Sequence, residues 1–424
     1  MLSRKRLLII SASVAVVLMA ASVLLLAVSN RSAGITRIWT DKPEFITYAE
    51  LFNASQNTHR VVIEYRQNPA EALIAAKSMP DIVIGPWLKG ERSRTKLIPV
   101  DYLFNELSIS AKLFYRPLLD LGNIQGHQYL LPVSFNLPAI IFSPENQSFI
   151  RDDFTISLDA IRETATEFNT QKNGIYTRMG FSPRWNSEFL YLTARLFDAR
   201  FEEGSPLFIW QQHALDAALT YLRTWTVESN TSTRAEDDFQ FKYLYDPPYK
   251  LVTGGRSLFS YMNSEDLFIL PPDKLQNIDF RWIRKDNSTP ITENITYLGI
   301  CKKSKNLESA EAFLVWFFSE KTQKELLERS RTMGVMDHSF GIAGGFSSLK
   351  PVNEKVFPLF YPSLFGHLPP AEMLTVPRIL PNAWLTYKKD IVIPWLQEAA
   401  AAPEDRVKSV PSLESRISGW LKTH

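Results

Sequence analysis

The sequence predicts an α/β fold in two lobes. Three observations carry this: 424 residues with 45% hydrophobic side chains, strands alternating with helices over 35–85, and an extended apolar segment broken at Asn136 and Pro138. Domains of about 100–200 residues make a single globule too small for this chain, and its apolar content suffices for a sizeable core in each lobe. The alternation begins with a strand over 35–39. A helix follows in which Phe45, Tyr48 and Phe52 recur at helical spacing, then a strand over 61–65, a helix over 70–77 that ends before Pro80, and a strand over 82–85. That βαβαβ order implies a mostly parallel sheet with right-handed crossovers, and such sheets hold ligands just beyond the carboxyl ends of their strands.

Further along, 101–121 reads as helical. The segment 133–142, interrupted by Asn136 and Pro138, suits a chain crossing between lobes. Ser157 is placed as the N-cap of a helix presenting Leu158, Ile161, Ala165 and Phe168. Helices are expected from near Asn186 and over 211–225, and the polar, acidic stretch 228–238 reads as a surface loop. A short strand over 297–301 precedes a helix carrying Ala310, Phe313, Leu314, Phe317 and Phe318. The tail from Pro377 holds a further helical pair.

The N-terminus sets the compartment. Arg4, Lys5 and Arg6 precede an uncharged, proline-free run over 7–28. As a helix it would measure about 33 Å, enough for a hydrocarbon core of about 30 Å. The basic flank keeps the terminus cytoplasmic and places everything after Asn30 outside, in the periplasm or at the cell surface. Residues 1–30 are therefore expected to form a signal or anchor helix. Its length favours retention as a membrane anchor, while Ala27 and Ser29 leave open a small-residue cleavage site and a secreted product.

Composition removes other classes. The formal net charge is +2, without the basic stripe that nucleic acid requires. Cys301 is the sole cysteine, so no intramolecular disulfide forms. The six histidines are isolated, with no second ligand at metal-helix spacing, so no metal is expected. No nucleophile elbow, phosphate loop or dinucleotide fingerprint is present, which predicts no cofactor and no catalytic residue.

Several segments together resemble family 1 extracellular solute-binding proteins, the maltose-binding-protein-like receptors of ABC importers. They are Ile38-Trp39-Thr40 with the helix ending at Leu51-Phe52-Asn53, then Met79-Pro80-Asp81-Ile82-Val83, Gly126-His127-Gln128-Tyr129-Leu130-Leu131-Pro132, Thr253 to Phe259, and Gly299 to Asn306 leading into Ala310-Glu311-Ala312-Phe313-Leu314. Their order spans 35–333. The lipobox cysteine usual in these receptors is absent, and the long N-terminal helix could substitute for lipid anchoring. The resemblance implies a periplasmic-binding-protein-like (type II) fold: one lobe from 35–141 and 297–334, the other from 143–296 and 342–424, with ligand enclosed by hinge closure. It also implies a reversible binding function without catalysis, with ABC permease subunits as partners.

Sugars offer apolar CH faces and rings of hydroxyls, so a sugar site wants aromatic platforms beside planar hydrogen-bonding groups. Trp39, Asp41 and Trp87 supply these at strand ends in the first lobe. Trp185, Tyr261 and Asn263 do so in the second. Phe135 and Asn136 lie in the crossing segment, and Trp384 matches the place where similar receptors put a stacking aromatic. Each aromatic could instead be core. Asp81, following Pro80, reads as a turn or helix-end partner. The expected ligand is a small carbohydrate or polyol. A tethered ligand sensor and a glycan hydrolase are the rivals, the latter requiring a rate-essential carboxylate.

Overall fold

The computed structural model describes residues 34–105, 109–150, 154–403 and 409–424. The expected helix over 1–30 lies outside them. Among the described residues no helix is long and apolar enough to cross a membrane.

The first lobe opens with β1 (Ile35–Thr40), α1 (Glu44–Ser55), β2 (Arg60–Tyr65), α2 (Pro69–Ala75) and β3 (Ile82–Gly85). Helix α1 buries Phe45, Tyr48, Ala49 and Phe52, one stripe at the expected spacing. Asn68 caps α2 by accepting from the Glu71 amide, with Pro69 preset in the first turn. All four residues of β3 are buried, as a strand covered on both faces must be.

The chain then reaches β4 (Leu131–Phe135) and crosses to β5 (Pro138–Phe142), β6 (Thr155–Ser157) and α3 (Leu158–Phe168) in the second lobe. Ser157 caps α3 as expected, accepting from the Ala160 amide at 3.1 Å. The second lobe continues through α4 (Ser187–Leu196), α5 (Gln212–Asn230), α6 (Thr233–Lys242), β7 (Ser260–Asn263) and β8 (Asp279–Arg284). It returns to the first through β9 (Thr296–Ile300), α7 (Leu307–Phe317), α8 (Glu320–Thr332) and β10 (Phe346–Ser347). The tail re-enters the second lobe as a helical stretch over 384–399 whose middle, Lys388–Val392, is a π-turn.

Two sheets result. The six-stranded sheet runs β10-β4-β9-β3-β1-β2 and the four-stranded sheet β7-β5-β8-β6. Strand β1 pairs in parallel with β2 and β3, whereas β9 enters antiparallel between β3 and β4, so the first sheet is mixed. The first crossing falls at 136–137, because Pro138–Phe142 already pairs in the second sheet. Phe346 and Ser347 still pair in the first. The expected boundaries at 141 and 342 move accordingly.

Two other expectations change. The stretch 228–238 is not a loop: α5 runs to Asn230 and α6 starts at Thr233. The physical reason is Glu236, whose fully buried carboxylate accepts from Asn230, Thr226 and Arg184, so a polar sequence has an inward face. The region 101–121 breaks into short turns, Tyr102–Asn105, Ala111–Leu113 and Arg116–Leu121. Asp81 does serve a helix end. It accepts from the Arg37 amide at 2.9 Å, the Ser304 hydroxyl at 2.8 Å and the Lys305 amide at 3.0 Å, just ahead of α7. Burial works against its charge, and these hydrogen bonds outweigh it and lower its pKa.

The lobes share an aromatic seam. Phe268 and Trp282 of the second lobe pack on Phe340 and Phe346 beside the first sheet, with Phe268 stacked on Phe340 at 4.8 Å and Trp282 edge-on to Phe346 at 5.8 Å.

Candidate ligand site between the lobes

A cavity of about 450 Å³ lies between the lobes. Trp87, just past the carboxyl end of β3, enters from the first lobe. Tyr261 and Asn263 of β7 face it from the second, joined by Glu188, Tyr191 and Arg195 on one side of α4. Thr292, Glu293 and Asn294 come from the second crossing segment, and Lys388 from the tail. The spacing 188, 191, 195 explains the α4 contribution, since residues three and four apart share a helix face. Asn186 starts that helix by accepting from the Glu188 and Phe189 amides, which fixes where the face points.

A compact charge network stands on this wall. The Lys388 ammonium donates to Glu188 at 2.5 Å and to Glu293, and the Arg195 guanidinium reaches Glu293 at 3.5 Å and the Ile291 carbonyl at 2.8 Å. Burial works against the Glu293 carboxylate, yet Lys388 and Arg195 outweigh it and hold its pKa below the ordinary range. Burial likewise opposes the charge of Lys388, and the two carboxylates raise its pKa nonetheless. Tyr191 lies under the Lys388 ammonium, 4.2 Å from the ring centroid. The Tyr261 hydroxyl donates to Asn263 at 2.7 Å, and burial pushes its pKa well up. Glu265, also lining the cavity, has its pKa raised by burial and accepts from Asn136 at 3.2 Å. The wall therefore offers aromatic faces, amides and charged acceptors in one enclosure.

Of the nine residues expected at the site, the structure brings Trp87, Tyr261 and Asn263 together in this cavity. The other six lie elsewhere. Trp39 is 6% exposed; its indole N–H donates to Glu64 at 2.8 Å and Arg66 covers its ring, so it belongs to the β1–β2 surface. Asp41 is tucked beside Gly85, with one carboxylate oxygen lacking a hydrogen-bond partner, and burial pushes its pKa up to about 6. Phe135 packs between Tyr115 and Phe346 as core. Asn136 braces the crossing by donating to the Gly344 carbonyl and accepting from Ser264. Trp185 stacks on Phe239 and lines another cavity of about 140 Å³, which meets the first only at Tyr261. Trp384 is wholly buried among Tyr191, Phe201 and Phe208. An aromatic near a strand end or in a polar loop satisfies the sequence pattern whether it points into the cleft or away, and here four of the six point into packing.

A larger cavity of about 650 Å³ shares Tyr191 and Arg195 with the first and extends past Asp120, Arg200, Lys285 and Arg378. Seven of its eighteen lining residues are charged, and no first-lobe aromatic enters it. The smaller cavity is therefore the stronger ligand site.

The fold is a two-lobed one shared with sugar-binding proteins of known structure. No family model matches the chain, and no curated protein matches it either. Solved structures do. The sugar-binding protein MalE from the phytopathogen Xanthomonas citri is similar at 13% identity over 92% of this chain and 96% of that one, with a TM-score of 0.63. An ABC substrate-binding protein from Listeria monocytogenes in complex with cycloalternan is similar at 14% identity over 92% and 98%, with a TM-score of 0.60. A cyclic alpha-maltosyl-1,6-maltose binding protein from Arthrobacter globiformis is similar at 15% identity over 91% and 97%, with a TM-score of 0.58.

Proposed function

We propose that this chain captures a small carbohydrate or polyol reversibly in the inter-lobe cavity by hinge closure and delivers it to the permease of an ABC importer, without chemistry of its own. The observation that carries the reading is the enclosure itself: Trp87 from one lobe faces Tyr261 and Asn263 from the other across about 450 Å³. That volume suits a small-molecule ligand, for which pockets of about 300–1,000 Å³ are usual. The sugar complexes among structures of the same fold support the ligand class. A hydrolase would need a proton-donating carboxyl group in the cleft. Glu293 is held charged by Lys388 and Arg195, which suits it to accepting hydroxyl hydrogen bonds, and Glu265, whose carboxyl pKa burial raises, is the cleft group that a hydrolase would have to use. The basic, apolar N-terminus would keep the clamp outside the cytoplasmic membrane, tethered to it or released by cleavage.

A thermal-shift series on residues 34–424 with maltose, maltotetraose, mannotriose and sugar alcohols tests this. A ligand at 100 times its Kd adds about 2.7 kcal/mol of stability. Stabilisation by at least one member without product formation is expected. Indifference to the whole series would reject the carbohydrate reading, and a released monosaccharide would favour the hydrolase.

A further inference from the structure

The loop that carries Trp87 is held by the opposite lobe. Trp87 has φ of 63°, the left-handed region that bulky residues seldom occupy. Its carbonyl accepts from the Asn382 side-chain amide at 2.8 Å, and the second proton of that amide goes to the Ser93 hydroxyl at 2.6 Å. Both Asn382 donors are thus spent on one first-lobe loop. Asn382 itself belongs to the second lobe: two residues on, Trp384 is sunk among Tyr191, Phe201 and Phe208. A second clasp lies on the same loop, where the Glu203 carboxylate accepts from the Glu91 amide at 2.9 Å and faces Arg94 at 3.6 Å.

Gly90 shows how close the fit is. A Cβ added there would lie 2.6 Å from the Asn382 amide nitrogen. The Gly90 backbone, at φ −55° and ψ 148°, accepts any residue, so the obstruction concerns Asn382 and not local folding.

We propose that Asn382 is a positioning residue that latches the lobes shut and, by gripping the Trp87 carbonyl, aims the indole into the cavity only in the closed form. This rests on the capture reading for its ligand consequence, while the latch itself can be read without any ligand. Closure would then complete the aromatic wall: an open molecule lacks the grip on Trp87, and its backbone is free to leave the left-handed region.

The test uses Asn382→Ala and Gly90→Ala with wild type as reference, each checked for an unchanged far-UV spectrum. A donor–acceptor dye pair on the exposed residues Glu71 of the first lobe and Asp390 of the second reports lobe separation without ligand. Both variants are expected to lower transfer efficiency and to make the Trp87 region more accessible to acrylamide quenching, with Asn382→Gln recovering part of the wild-type value. With maltotetraose or mannotriose as probe, whichever wild type binds, both variants are expected to weaken affinity on the order of tenfold through faster release. Wild-type separation and wild-type affinity in both variants would overturn the latch. If wild type binds no sugar while the dye pair still reports opening in the variants, the latch stands and the carbohydrate reading falls.

Discussion

Lys388 reaches Glu293 across the wall of the cavity, a buried ion pair that ties the tail helix to the segment crossing between lobes. Each side chain is 9% exposed, so neither charge has water to fall back on. Glu188 and Arg195 complete the arrangement, leaving two cations against two carboxylates.

Removing one member of such a set strands its partners. Lys388→Met is expected to cost about 3–5 kcal/mol, because Glu293 and Glu188 lose their shared donor in a buried setting. Adding Glu293→Gln should return part of that loss, so urea midpoints of the single and double variants check the coupling. A double variant less stable than the sum of both singles would refute it.

Trp384 and Trp87 should separate packing from binding. Trp384→Ala empties a site enclosed by three rings and is expected to cost about 3–5 kcal/mol. Trp87→Ala is expected to lose less stability, since the ring lines a cavity and is not enclosed by three other rings, and to weaken sugar binding at least about tenfold. Calorimetric titration beside thermal melts of both variants distinguishes the two roles.

Lys89 gives the protein a pH dependence in the alkaline range. Burial pushes its ammonium down to about 7, with repulsion from Arg195 adding to the effect, and its nitrogen sits 4.7 Å over the Tyr297 ring. The unfolded lysine keeps a pKa near about 10.4, so from pH 7 upward the unfolded chain binds the extra proton. Stability should therefore rise with pH across this window, by up to about 1.4 kcal/mol per unit from this group. Lys89→Met removes the contribution. The stability gap between variant and wild type should narrow from pH 7 to pH 9 in denaturant titrations, and a constant gap would count against it.

Asp41 works in the opposite sense. Burial raises its carboxyl to about 6, above the roughly 3.9 of an unfolded aspartate. The folded form holds the extra proton between these values, so its stabilising contribution is complete below about pH 4 and lost as pH rises through 6. Asp41→Asn should gain stability relative to wild type on moving from pH 5 to pH 7, measured by thermal melts in matched buffers.

The first lobe was legible because its signals are local. The stripe Phe45, Tyr48, Phe52, the Pro69 start and the all-apolar run 82–85 each report their own element, and β3 lies where that run predicts. Asp81 was legible for the same reason. The strand β9 was visible, but its antiparallel entry was not, since direction is set by which lobe the chain returns from. The cavity was the least legible part. Trp87, Tyr261 and Asn263 carried the strand-end signal, whereas Glu188 and Arg195 sit on a helix whose apolar content reads as core, and Glu293 and Lys388 acquire meaning only when 95 residues of separation close to one contact. Helix α6 shows the converse: a single satisfied carboxylate, Glu236, turned a sequence polar enough for a loop into a packed helix.

The aromatic seam has a consequence for how this molecule comes apart. Phe268 and Trp282 have no full set of neighbours without Phe340 and Phe346, and the reverse holds as well. Neither lobe is a finished body by itself. Heating should melt both in one cooperative step, and a chain divided at the first crossing would yield two pieces that must find each other before either can hold its shape.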